Sequence, residues 1–351
     1  MAAIVQNGRD IMRIRHKKDE IMILQHAMLH ILDTNTGSLI ASQGEMPLDN
    51  AGVQAYIAKL VTKVLSGDVK SGTLTPQDTL ATALANSDFS EMTAGFATQL
   101  FDIIAASEAV PAGDLLSFLA TTDDGPIFGM MKLNFAPRYA HAVEYIDDQM
   151  VNNLVLNQTV LPASSQTVDE AIIVNKTTLQ YHLLEKKYVI DGHRVAYFSE
   201  KLLALTPQTS IKENLQTIKR TVKAIAEKFD DVPEHEVLAM TQTAIYDSLS
   251  AGQIDTTQIA EQVFPDNLTA QTQYQEKLAA KAVAQVIPVD NTPKYEKKYR
   301  AQKFKLDSGI EISIPMAVYQ DRSKVEFINH ADGSTSLVIK DIAQIANQFS
   351  V

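Results

Sequence analysis

The residues with the clearest chemistry are cations. Lys294 to Lys305 reads Lys-Tyr-Glu-Lys-Lys-Tyr-Arg-Ala-Gln-Lys-Phe-Lys, six cations against the single anion Glu296. Charge at this density meets a row of phosphates, and release of condensed counterions supplies the free energy. Lys297, Lys298, Arg300, Lys303 and Lys305 are therefore the primary candidates for contact with a nucleic-acid backbone. Tyr295, Tyr299 and Phe304 lie among them, suited either to stacking on exposed bases or to packing. A second strip runs Lys212, Gln216, Lys219, Lys223, with Arg220 beside it, at the spacing of one helix face. Its lysines suit phosphates as point charges, and the interleaved Glu213 and Glu227 keep an ordinary solvated face as the competing reading.

Three other constellations carry less. Asp169, followed by Glu185-Lys-Lys187, has the residue types with which restriction-type nucleases hold Mg²⁺ and activate water, in a spacing common in charged strands. His26 and His30 stand four apart without the glutamate of His-Glu-x-x-His, inside a segment that alternates like a strand, so they read as core or edge histidines. Leu238 to Ala284 has the outline of a tri-helical helix-turn-helix, whose third helix offers Lys277 and Lys281 against Glu276 and no arginine to read base edges. No Gly-x-x-x-x-Gly-Lys-Ser/Thr loop and no Gly-x-Ser-x-Gly elbow occurs. With no cysteine, disulfides, cysteine-ligated metals and thiol nucleophiles are excluded. No catalytic residue, metal or cofactor is assigned.

These residues need elements to hold them, and the hydrophobic pattern indicates which. Ile21 to Asp33 alternates with both faces largely apolar, which predicts a central strand. From Asp49 to Gly67 the period changes to three and four, a helix. Thr75-Pro-Gln-Asp78 offers a helix start with proline in the first turn, and Asp88-Phe-Ser-Glu91 a capping box before the stripe Phe89, Met92, Phe96, Leu100, Ile104. Period-two segments on either side of Asp124-Gly125 and Asp332-Gly333 predict hairpins, and Asp191-Gly192 predicts a turn that leads into Tyr197-Phe198 and a helix. Helices are expected behind Ser210, Pro233, Asp255 and Thr269. The fold class is α+β: helices packed on a mainly antiparallel sheet over 1–190, a helical subdomain over 191–290, and a basic strand, β-hairpins and terminal helix over 291–351.

Charge is the awkward quantity. The net −11 argues against coating nucleic acid with the whole surface. It is unevenly spread: Asp88 to Asp148 holds ten carboxylates against only Lys132 and Arg138, so a local basic footprint on an acidic remainder is compatible with the total. The N-terminal Arg9, Arg13, Arg15, Lys17 and Lys18 are followed by no apolar signal core, and apolar runs are too short for a bilayer. A soluble cytoplasmic protein with no membrane partner is the expectation.

The order Asp307-Ser-Gly-Ile-Glu-Ile-Ser-Ile-Pro315, Lys324-Val-Glu-Phe-Ile-Asn329, Asp332-Gly333 and Ser336-Leu-Val-Ile-Lys340 resembles the C-terminal segment of bacterial nucleoid-associated proteins of the NdpA/YejK type. Ile23 to Asp33, Phe128 to Phe135, Thr159-Val-Leu-Pro162 with Asp169 to Ile173, and Lys186 to Ser199 are similar to the same family in the same order. The resemblance implies binding of double-stranded DNA with little sequence preference, near chromosome-organising machinery such as topoisomerases, in the nucleoid. It carries over no binding residue, so the nine cations above rest on charge placement alone. An acidic adaptor that reaches the nucleoid through a partner is the competing class, and two-fold association is a hypothesis, since a homodimer would pair two basic strips.

Overall fold

The computed structural model describes residues 14–15, 21–229, 233–289, 292–330 and 332–345. The basic residues Arg9, Arg13, Lys17 and Lys18 lie outside them. Tertiary contacts divide the chain into two units, Met1–Ser210 and Ile211–Val351, so the helices after Ser210 and the C-terminal hairpins share one unit.

In chain order the first unit holds β1 (Ile14–Arg15), β2 (Ile21–Asp33), β3 (Ser38–Ile40), α1 (Ala51–Leu65), β4 (Lys70–Thr73), α2 (Thr79–Asn86), α3 (Phe89–Ala105), β5 (Gly113–Thr122), β6 (Gly125–Asn134), β7 (Arg138–Ile146), β8 (Gln149–Asn157), β9 (Glu170–Asn175), β10 (Gln180–Leu184), β11 (Tyr188–Ile190), β12 (His193–Val195) and a π-helical turn, Phe198–Leu203. Its main sheet runs β1-β2-β5-β6-β9-β10-β4 with β3 also on β2, and every pair is antiparallel. The expected α+β class is what the chain adopts.

Alternation explains the layers. Odd and even residues of a strand point to opposite faces, and here each face has its own helices. Leu115, Phe128, Met130, Ile172 and Val174 join the core under α2, α3 and the π turn. Leu116, Phe118, Met131, Ala171 and Ile173 join the core under α1. Asn50 caps α1 by accepting from the amides of Gly52 and Val53, and Asp88 caps α3 by accepting from Ser90 and Glu91. Sheet packing is tight enough to fix residue size: a methyl on Gly129 would sit 2.0 Å from the Phe118 ring.

Three expectations need correction here. β2 pairs with strands on both sides yet lies toward one end of the sheet; β5 and β6 are more central. Its register shifts between Leu24 and His26, and such a bulge exchanges the faces of the residues before it. Met22 and Leu24 thus pack with Ala27 and Leu29 toward α1, whereas strict alternation groups them with Met28 and Leu32. Thr75 to Asp78 forms a turn closed by Asp78 N–H on the Thr75 carbonyl, and α2 starts only at Thr79.

The second unit holds α4 (Ile211–Phe229), α5 (Glu234–Leu249), β13 (Gln253–Asp255), α6 (Thr256–Val263), α7 (Leu268–Ala279), β14 (Val286–Pro288), α8 (Thr292–Tyr299), β15 (Ala301–Lys305), β16 (Glu311–Pro315), α9 (Met316–Tyr319), β17 (Val325–Asn329) and β18 (Thr335–Ile339). One apolar core joins α4 (Leu215, Ile218, Val222, Ile225), α5, α6, α7 and Tyr295. β13 pairs with β14, β15 with β16 and β17 with β18, the last two pairs as hairpins closed at Gly309 and Gly333.

The basic run is not all strand. Pro293 in a first helical turn and Tyr295/Tyr299 at a spacing of four make its first half the helix α8, with Tyr295 buried. α7 ends at Ala279, and Ala282 turns left-handed on the way into β14. Asp341 to Ile345 carry no helix, and the remainder of the expected terminal helix lies outside the described residues. No helix among the described residues is long and apolar enough to cross a membrane.

Candidate nucleic-acid interface

Within the second unit, α4, α5, the end of α8, β15 and β18 enclose a cleft of about 820 Å³. The sequence of α4 sets one wall. Leu215, Ile218, Val222 and Ile225 turn inward at three and four spacing, so Lys212, Gln216 and Lys219 share the outer stripe that lines the cleft.

β15 sets the facing wall. Its inward residue Gln302 is buried and donates from Nε2 to the Ala239 carbonyl at 2.7 Å, and Gln242 of α5 donates to the Ala301 carbonyl at 2.8 Å. Those bonds fix the strand on α5. Residues of alternate parity then point outward, and Lys303 and Lys305 line the cleft with Lys298 from the last turn of α8. Five lysines meet the single carboxylate of Asp307 there, with His235 at the edge.

The local electrostatics differ among the five. Lys305 faces Glu311 across the β15–β16 pair at 3.6 Å, and this ion pair is largely exposed, which makes it worth only about 0–1 kcal/mol. Lys219, Lys298 and Lys303 make no ion pair with any described residue. Their charge is available to an external anion.

The remaining four predicted cations do not line the cleft. Lys223 lies 2.9 Å from Glu234 and 3.8 Å from Glu227, and its pKa is raised, first by the hydrogen bond to Glu234. Lys297 and Arg300 are exposed on either side of Lys298 and Tyr299, and Arg220 is exposed one residue beyond Lys219. A single step rotates a side chain by about 100° on a helix, which is enough to leave one wall.

The aromatics of the basic run pack. Tyr295 is buried, burial raises the Tyr299 phenol, and Phe304 lies 5.3 Å from Phe327 and 6.0 Å from Tyr319 between ring centroids. Phe327, Leu337, Gln242 and Gln302 complete the cleft; the sequence reading placed none of them there, because they come from elements far apart in the chain. Their only sequence signal is the Asp332-Gly333 hairpin that brings β18 back.

The other constellations are engaged locally. Glu185 accepts from Lys70 Nζ at 2.8 Å and from the amide and hydroxyl of Ser199, while Asp169 accepts from Asn134 and Tyr188. Among the described residues no group of three or more His, Asp or Glu is placed to hold a metal. His30 is buried with Nδ1 accepting from the Ser42 amide and Nε2 meeting Thr93, and burial lowers its pKa; His26 pairs with Glu45 at 2.8 Å. In the helix-turn-helix segment, α6 and α7 pack through Ile259, Val263, Ala270, Tyr274 and Leu278, and Lys281 meets Thr221 at 3.4 Å.

The comparison with protein families gives one match: the family described as nucleoid-associated protein YejK, over residues 28–346 of the 351. No curated protein matches the chain.

Proposed function

The chain belongs to the YejK family of nucleoid-associated proteins, and from that premise we propose that its second unit binds double-stranded DNA through the phosphate backbone, with little dependence on sequence. The observation that carries this is the convergence of Lys212, Lys219, Lys298, Lys303 and Lys305 on one cleft of a protein whose net charge is −11. Ammonium groups act on phosphates as point charges, whereas bidentate reading of base edges needs the fork of arginine or a carboxamide held at a groove floor. No arginine lines the cleft, and of its carboxamides Gln242 and Gln302 are bonded to the Ala301 and Ala239 carbonyls, which leaves Gln216 facing it. Affinity without sequence reading is the consequence, and it suits a role in chromosome organisation on the nucleoid.

The acidic remainder favours a second reading, an adaptor recruited through a protein partner such as a topoisomerase. Salt separates the two. Release of counterions by five lysines predicts a slope of log K against log salt of about −4 to −5 on a duplex of arbitrary sequence. A flat or undetectable response at about 50 mM salt would remove direct binding and leave the adaptor. The role is binding, not catalysis: supercoiled plasmid incubated with the protein and Mg²⁺ is expected to stay intact, and nicking would restore the nuclease reading.

A further inference from the structure

The hairpin of β7 and β8 is a two-residue-turn ribbon closed by Asp147 and Asp148, both left-handed, the geometry a twisted hairpin requires. Among the described residues it pairs with no other strand. An isolated two-stranded ribbon is at best marginally stable in water, and one with a bare apolar face is a liability.

Residues directly opposite each other in an antiparallel pair share a face. The register therefore places Tyr139 with Leu156, His141 with Leu154, Val143 with Asn152, and Tyr145 with Met150 on one side. That side is open: Tyr139, Tyr145, Leu154 and Met150 are 72%, 77%, 69% and 67% exposed. The other side is mixed: Arg138, Glu144, Gln149, Asn153 and Asn157 alternate there with Ala140, Ala142, Ile146, Val151 and Val155, and Asn153 donates to Glu144.

We propose that the apolar side of the β7–β8 ribbon is the surface on which a second copy of this chain docks. The exposed apolar area on that side is roughly 700 Å² per chain, close to the 800 Å² or so that a standard interface takes from each partner and above the patches of about 300–600 Å² left on monomers. It carries no carboxylate, lysine or arginine, so nothing on it calls for a partner of opposite charge. Two such faces related by a two-fold axis cover each other with the same residues, which is the condition for a closed, isologous dimer. The inference uses no property of the lysine cleft and stands or falls separately from DNA binding.

Sedimentation equilibrium of the full chain at about ten micromolar tests it, that being well above the dissociation constant an interface of standard size gives. The expected mass is twice the 38.6 kDa of the chain. Tyr145→Asp combined with Leu154→Asp is expected to return the mass to one chain, with an unchanged far-ultraviolet circular dichroism spectrum because the ribbon lies outside the cores. Gln149→Asp with Asn157→Asp, on the mixed side, is expected to leave the dimer intact. A wild-type monomer would overturn the proposal, whether the ribbon is then covered by the second unit or by another protein. So would a dimer that survives the paired apolar-side substitutions.

Discussion

Side chains that share a stretch of sequence are not equivalent once their partners are known. Lys219 and Lys303 offer free charge to the cleft, while Lys223 is held between Glu234 and Glu227. Lys219→Gln or Lys303→Gln is therefore expected to weaken duplex binding for all sequences alike and to reduce the salt slope by about one each. Lys223→Gln should change neither, and a loss equal to that of Lys219→Gln in fluorescence anisotropy would show that the cleft is not the binding surface. A second residue-scale expectation concerns buried acids in the first unit. Burial, with Asp33 nearby, pushes Asp114 from 3.8 up to about 6, and one of its oxygens lacks a partner. Burial likewise raises Glu170, and the nearby Lys132 and the hydroxyls of Tyr188 and Tyr197 only partly offset the rise. A raised carboxyl binds its proton more tightly in the folded state, so its contribution is complete below pH 3.8 and is lost as pH climbs through about 6. His30 works the other way, since burial lowers its pKa and the stability tied to its neutral form is lost on acidification. Comparing Asp114→Asn with the natural chain isolates the first effect: urea midpoints should match near pH 4, with the variant gaining relative stability up to about pH 7. Parallel curves would show that Asp114 titrates normally.

At the scale of elements, what could be read in advance was whatever local chemistry dictates. Asp-Gly pairs at 124–125, 191–192 and 332–333 marked turns because the hairpin needs left-handed φ there, and Gly125, Gly192 and Gly333 all have it. The stripe of α4 was legible for the same reason, since Leu215, Ile218, Val222 and Ile225 had to face inward, and that fixed Lys212 and Lys219 on the opposite side. The bulge at Gln25 was not legible, because an unpaired residue is decided by the neighbouring strand β5 and leaves the composition of β2 unchanged. α8 was missed because the six-cation run, half of which lies in it, masks the two tyrosines four apart that turn it into a helix with a buried face. Nor could the sequence tell which cations converge, for that depends on Gln302 and Gln242 docking β15 on α5. This positioning is testable: Gln302→Ala removes a buried donor and leaves the Ala239 and Ala301 region less constrained, with an expected cost of about 1–3 kcal/mol and weaker DNA binding without loss of any cation. In the sheet, Gly129→Ala drives a methyl into the Phe118 ring and is expected to destabilise the first unit by about 1–3 kcal/mol while leaving cleft binding unchanged. Calorimetry of the full chain would read this directly, and an unshifted transition would mean that β5 and β6 yield at this contact.

For the whole molecule, the proposed binding has to place a polyanion on an anionic protein. Ten carboxylates lie between Asp88 and Asp148 in the first unit, while the cleft of the second gathers five lysines. One cleft engages only a few phosphates, so a single chain is expected to bind weakly and to dissociate as salt rises. Two chains joined at their ribbons present two clefts, and the second engagement becomes intramolecular wherever the duplex is long enough to reach both. Duplex length thus separates the two proposals within one experiment. On a duplex too short for two clefts, the natural chain and the Tyr145→Asp, Leu154→Asp variant should bind alike, because the cleft is intact in both. On a long duplex the natural chain should bind on the order of 10²-fold more tightly than the variant, with a salt slope approaching twice the single-cleft value. Equal affinity on both lengths would show that pairing of chains does not bring two clefts to one DNA, whereas tight binding by the variant on the long duplex would show that a single chain already suffices.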